Sequence, residues 1–108
     1  MLDVACLIVG IGGWEQYTAP LVWSIKSHEP GVRVIVIDNE SEYPYPSLPY
    51  VERTRRMSYA AAINEAARLA GDADWYVVLS NYVVCTGRFV DKLGALGDVV
   101  AGPYIRQN

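Results

Sequence analysis

Val4 to Gly10 (VACLIVG) is an unbroken apolar run that ends in glycine, and Glu15 to His28 then places Tyr17, Leu21, Val22 and Ile25 at helical spacing. Pro30 and Gly31 stop that helix, and Val32 to Asp38 (VRVIVID) is a second apolar, β-branched run that finishes on a carboxylate. Unbroken apolar strands are those covered on both faces, so this βαβ unit predicts two adjacent parallel strands. Asn39 to Tyr50 carries three prolines and no period, which predicts an irregular loop leading to a short edge strand near Tyr50 to Arg53. Ser58 to Gly71 has a serine N-cap, many alanines and a glycine stop, the pattern of a second helix. Asp74 to Asn81 predicts a further buried strand, Gly87 to Leu96 a short helix and Asp98 to Ile105 a last strand. The expected architecture is a single α/β domain over residues 1–108, a three-layer α/β/α sandwich with a mostly parallel, Rossmann-like sheet.

In such a sheet ligands collect outside the carboxyl ends of the strands, where helix N-termini also point. The first strand ends at Val9 and Gly10 and the second at Asp38 and Asn39, while the apolar stretch Tyr76 to Cys85 opens midway at Ser80, Asn81 and Tyr82. Each polar strand end alone reads as an exit to solvent. Three on one rim predict a site.

Composition narrows the partners. With 52% hydrophobic and 19% charged residues the chain is globular, and its apolar runs are too short and interrupted to span a membrane. A net charge of −3 and a single three-arginine cluster (Arg53 to Arg56) provide no basic stripe for nucleic acid. Cys6 and Cys85 each lie in a strand-like run as small buried hydrophobes, which fits a reducing, cytoplasmic setting. Asp3 stands where a signal peptide carries positive charge, so Val4 to Gly10 reads as strand rather than leader.

Other chemistry is thin. His28, the only histidine, sits in a helix's last turn, where it complements the dipole. One histidine and two cysteines do not make a zinc set, and no serine or cysteine nucleophile has a base. Asp72 and Asp74 flank a turn as solvated groups, and Glu40 with Glu42 could hold a cation only if their loop folds back. Trp14, Trp23 and Trp75 read as core and rim packing, with Trp14 the best placed to stack on a base. Gly10 to Glu15 (GIGGWE) matches a dinucleotide fingerprint in part, with Asp38 on a ribose hydroxyl, but Glu15 takes the third glycine's place and would repel a pyrophosphate.

A second nucleotide reading comes from resemblance. VACLIVG, then PLVWSIKSHEPGVRVIVIDNES, then MSYAAAINEAARLAGDADWYVVLSNYVV resembles the N-terminal, nucleotide-binding half of family-two glycosyltransferases of the GT-A fold. The most specific parts are IDNES, which matches the family's Asp-Asn-Gly-Ser with Glu40 in the glycine place, and AAAIN, with Asn64 in the Asn place. The resemblance implies a truncated GT-A domain binding a nucleotide-diphosphate sugar, a UDP-sugar first, through Val9, Gly10, Asp38, Glu40, Arg56, Ala60, Asn64, Ser80, Asn81 and Tyr82. Within that set Asp38 would accept hydrogen bonds from base or ribose, Arg56 (or its neighbour Arg55) would bring a guanidinium to the diphosphate, and Asn64 would tie its helix to the loop after strand two. Read apart from the resemblance, Asp38 is equally a turn cap. The family's Mn²⁺ or Mg²⁺ bridges the phosphates through an Asp whose place here is held by Tyr82. A neutral phenol with a pKa of about 10 does not replace that charge, so metal binding is expected to be weak or absent. The acceptor-binding half of such enzymes is not represented in these 108 residues. Transfer of the sugar, a catalytically inactive nucleotide-binding module and a dinucleotide domain all stay open, and an uncovered sheet edge is expected to favour a homodimer.

Overall fold

Strand β1 (Val4–Gly10) lies inside the sheet with all 7 of its residues buried. In the computed structural model, which describes residues 2–96, β1 pairs with β2 (Arg33–Asn39) on one side and β4 (Trp75–Ser80) on the other. β3 (Val51–Thr54) lies outside β2, giving the order β3-β2-β1-β4 with every described pairing parallel. The described residues thus form an α/β fold, with a 4-stranded, all-parallel sheet flanked by helices. The strand expected at Asp98 to Ile105 lies outside the described residues.

Alternation along β1 separates two cores. Cys6 and Ile8 pack with Val34, Val36 and with Leu21, Val22 and Ile25 of helix α1 (Ala19–His28). Ala5, Leu7 and Val9 pack with Ile37 and with Ala62, Ala66 and Ala70 of helix α2 (Tyr59–Ala70). Alanine at every fourth position gives α2 a flat stripe that approaches the strands closely. As its sequence predicts, α2 starts at Ser58, whose hydroxyl accepts the Ala61 N–H, and stops at Gly71 in the left-handed region (φ 71°). Among the described residues β4 is covered on one face only: Tyr76 and Val78 stay 42% and 37% exposed.

The single helix expected over Glu15 to His28 is two segments. Residues Trp14–Thr18 form a π-helical turn in which both Tyr17 and Thr18 donate to the Gly13 carbonyl, at 2.9 and 3.2 Å. Pro20, with no N–H to continue the earlier register, starts α1 afresh. This rotation exposes Tyr17, assigned by its spacing to the apolar face, and buries Thr18 instead. Trp23, expected to pack, is 73% exposed.

At the pole opposite the strand ends, Arg33 bridges Asp3 through both carboxylate oxygens (3.0 and 3.1 Å) and donates to the carbonyls of Ala70 and Asp72. Asp74, read above as a solvated turn residue, accepts the Asp3 N–H at 2.7 Å. The buried carboxylate of Glu29, just after α1, accepts the Phe89 and Val90 N–H groups at the start of helix α3 (Val90–Leu96), with Arg88 3.6 Å away. Burial alone would raise the Glu29 pKa, but those two N–H donors and Arg88 hold it below the ordinary carboxylate range. Cys6 is a free, buried thiol, pushed up to about 12 by burial first and then by Cys85 and Glu29. It stays protonated and packs as a hydrophobe.

Candidate functional site

The register aligns Gly10 with Asp38 and Val9 with Ser80, so the carboxyl ends of β2, β1 and β4 come out at one height. The chain leaves β1 toward β2 and β3 on one side and returns to β4 on the other. The gap between β1 and β4 is therefore a topological switch point, where an open α/β sheet has its crevice. A cleft of about 420 Å³ opens there, lined by Val9, Gly10 and Ile11 after β1, Asn39 after β2, Met57 and Tyr59 at the start of α2, and Ser80, Asn81 and Tyr82 after β4. A second groove of about 250 Å³ runs along β4 and α3, but its lining has no charged group or side-chain amide to orient a ligand.

Each end of the cleft has a local cause. Where the apolar run opens, Ser80 Oγ accepts the Tyr82 N–H (3.3 Å), Asn81 turns inward to donate to Thr18 Oγ1 (3.3 Å), and Tyr82 is left 73% exposed, edge-on to Tyr17 with ring centroids 4.8 Å apart. Gly10 is dictated by Tyr45: a Cβ at position 10 would lie 2.2 Å from the Tyr45 hydroxyl oxygen. That hydroxyl donates to the Gly12 carbonyl (2.6 Å), and the Gly12 N–H donates to Ser41 Oγ (2.7 Å). The loop after β1 is thereby clipped to the loop after β2. At the start of α2, the Tyr59 and Ala60 N–H groups, among the helix's unpaired first donors, have no acceptor among the described residues.

Five of the ten residues named from the sequence, Val9, Gly10, Ser80, Asn81 and Tyr82, meet at the cleft. The other five do not line it. Asp38 is buried beneath the loop: Oδ1 accepts the Ser41 N–H at 3.0 Å, and Oδ2 accepts the Tyr45 N–H at 3.0 Å and Arg53 Nη1 at 2.9 Å. Of its two readings, these bonds are those of the turn cap. Burial would raise its pKa, but the donors of Ser41, Tyr45 and Arg53 outweigh it and hold the carboxyl below its ordinary range. Arg56 Nε and Nη2 donate to the carbonyls of Asn39 and Glu40, each at 3.1 Å, so the guanidinium braces the end of β2. Ala60 lies exposed on the first turn of α2. Asn64 is exposed and makes no tie to the loop; Asn39 does, donating to the Met57 carbonyl at 2.9 Å and accepting the Met57 N–H at 3.0 Å. Trp14 packs against the Tyr45 ring at 5.1 Å, outside the cleft. Tyr45 and Thr18 carried no motif, and Met57 and Tyr59 were legible only as neighbours of the Ser58 cap.

Glu40 has φ 57°, a left-handed backbone uncommon for any residue but glycine, and its carboxylate accepts the Arg56 N–H. Glu40→Gly and Glu40→Ala both remove that acceptor, and only alanine retains the left-handed strain. Urea denaturation is expected to find the alanine variant less stable than the glycine variant by about 1 kcal/mol. Equal stabilities would refute the strain.

The depressed carboxyls of Asp38 and Glu29 set the acid response. Both bind protons less readily folded than unfolded, where carboxyls titrate near about 4. Their stabilisation is complete above that value and is lost as pH falls through the lower folded values. Melting temperature is expected to be level between about pH 7 and 5 and to drop below about pH 4, with a shallower drop for Glu29→Gln. An acid limb unchanged by that substitution would contradict the assignment.

The lining offers hydroxyls, amides and phenols but no carboxylate, and among the described residues no three His, Cys, Asp or Glu side chains gather to hold a metal ion. Hard divalent cations take anionic oxygens, so this donor set does not fit the Mn²⁺ or Mg²⁺ that the resemblance implies. Nor is any helix among the described residues long and apolar enough to cross a membrane. No protein-family model matches the chain, and neither a curated protein nor a solved structure matches it.

Proposed function

We propose that the cleft between β1 and β4 binds a nucleotide-diphosphate sugar, a UDP-sugar first, and that the domain is a Rossmann-like, three-layer unit of truncated GT-A type. The carrying observation is the position of the cleft: it lies at the switch point, on the carboxyl ends of three parallel strands, beside the first turn of α2. The unpaired N–H of Tyr59, which lines the cleft, and the helix dipole suit phosphate oxygens. The neutral amides, hydroxyls and tyrosines of the rim suit base, ribose and sugar. Free Cys6 and Cys85 accord with a reducing compartment such as the cytoplasm.

If active, the chain would transfer the sugar to an acceptor; binding without turnover is favoured by Tyr82 at the place of the family's acid and by the neutral lining. The dinucleotide reading is disfavoured because the Gly12 N–H, which should face a pyrophosphate, is held by Ser41. Calorimetric titration with UDP, UDP-glucose, UDP-N-acetylglucosamine and NAD, with and without Mn²⁺, tests this. Saturable, metal-independent binding of the uridine ligands is expected. No binding by protein shown folded by circular dichroism would overturn the proposal, and Mn²⁺-enhanced binding with sugar release would establish the enzyme. Tyr82→Asp is expected to add Mn²⁺-dependent affinity, and an absence of gain would count against the alignment of Tyr82 with the metal-binding acid. The homodimer belongs to the same proposal: β4 is an edge among the described residues, with Tyr76 and Val78 exposed beside it. A monomer mass independent of concentration would end that part.

A further inference from the structure

Three buried hydroxyl and amide groups link the loop over Gly10 to the cleft, and donor arithmetic sets their direction. The Gly12 carbonyl can only accept, so the single hydroxyl hydrogen of Tyr45 is committed to it at 2.6 Å. In the 3.1 Å contact between Thr18 Oγ1 and the Tyr45 oxygen, the hydrogen must then come from Thr18. With its own hydrogen used, Thr18 Oγ1 accepts from Asn81, and Nδ2 stands 3.3 Å away. The chain runs one way: Asn81 amide to Thr18 hydroxyl to Tyr45 hydroxyl to Gly12 carbonyl. If the Asn81 amide turned over, its oxygen would face a hydroxyl with no hydrogen to give.

The other side of Asn81 follows. Among the described residues Thr54 Oγ1 is the one fully buried side-chain polar atom without a partner. Asn81 Oδ1 has no partner among them either, so it is not sealed off, and Asn81 lines the cleft. We infer that Tyr45 and Thr18 are positioning residues that lock Asn81 with its amide oxygen toward the cleft, so that this point selects a ligand group carrying an N–H or O–H and rejects a bare acceptor such as a phosphate or carbonyl oxygen. This inference rests on the nucleotide reading for the identity of the ligand, and on the hydrogen-bond chain alone for the orientation of Asn81.

Two measurements separate those dependencies. In ¹⁵N-labelled protein without ligand, the Asn81 side-chain amide is expected to exchange slowly and to show a nuclear Overhauser effect to Thr18. Both features are expected to disappear in Thr18→Val and weaken in Tyr45→Phe, while Thr18→Ser keeps them. Exchange at the rate of a free asparagine in the native protein, or no change in either variant, overturns the orientation. The second measurement titrates UDP, 3-methyl-UDP and 2′,3′-dideoxy-UDP, which lack the base N–H and the ribose hydroxyls in turn. One analogue is expected to bind about tenfold more weakly than UDP to native protein and to Thr18→Ser. That discrimination is expected to fall toward unity in Thr18→Val and Tyr45→Phe, two variants of which either suffices if the other fails to fold. Both analogues binding as UDP does, or discrimination persisting in the variants, overturns the selectivity. Failure of UDP itself to bind ends the nucleotide reading instead, and the exchange measurement still decides the orientation.

Discussion

Gly10→Ala is expected to cost about 3 kcal/mol of folding stability, at the upper end for a single added methyl in a packed interior. The added carbon would meet the Tyr45 oxygen at 2.2 Å and the adjoining ring carbon at 3.2 Å. The ring cannot simply swing clear: it packs on Trp14, and its hydroxyl is bonded to Gly12 and Thr18. Because the severest overlap is with the hydroxyl, Gly10→Ala combined with Tyr45→Phe is expected to be more stable than Gly10→Ala alone. That reversal would identify the clash. A Gly10→Ala protein within about 0.5 kcal/mol of native stability in urea denaturation would show that the glycine answers to something else.

Asp38→Ala has an expected cost of similar size, about 3 kcal/mol, for a different reason. Three donors converge on that carboxylate, and two of them are backbone N–H groups of the buried residues Ser41 and Tyr45. Arg53 is 44% exposed and recovers water, whereas the two N–H groups are left without acceptors. Asp38→Asn keeps one acceptor oxygen but turns an NH₂ toward a donor, so it should fall between native protein and Asp38→Ala. UDP titration of the folded Asp38→Asn protein discriminates the roles: a structural cap leaves affinity near native, whereas a direct ligand to base or ribose loses it. Near-native stability with lost affinity would reverse the assignment made from the geometry.

The contrast between Asp38 and Asn81 shows what kind of information the chain displays openly. Continuous apolar runs, a serine cap, a glycine stop and alanines at every fourth place are local signals, and β1, β2, α2 and β4 follow them within a residue or two. The rim follows as well, since strand ends in a parallel sheet must emerge together, which is why Gly10 and the Ser80 to Tyr82 turn were recognisable. Partnerships across the sequence left no such trace. Tyr45 comes from a proline-rich loop without a period, yet it determines residue 10; Glu29 reads as an ordinary polar residue after a helix, yet it caps α3 some 60 positions on. Asp38 and Arg56 had the right chemistry for a nucleotide, but each is engaged by the protein's own backbone. The π-helical turn arises from the meeting of Gly13 and Pro20, and neither residue alone announces it.

The inner position of β1 also bears on how the chain is made. Its 7 buried residues are synthesised before either strand they pair with, and one of those two neighbours begins only at Trp75. At roughly 5 to 20 residues per second of translation, this apolar strand waits several seconds on the ribosome with one hydrogen-bonding edge bare. Native pairing there spans about seventy positions, so closure is a late, high-contact-order event. Slower translation through the segment before Trp75 would lengthen the interval in which nascent chains can associate through β1, and a chaperone that shields extended apolar segments would act on this protein before β4 has emerged.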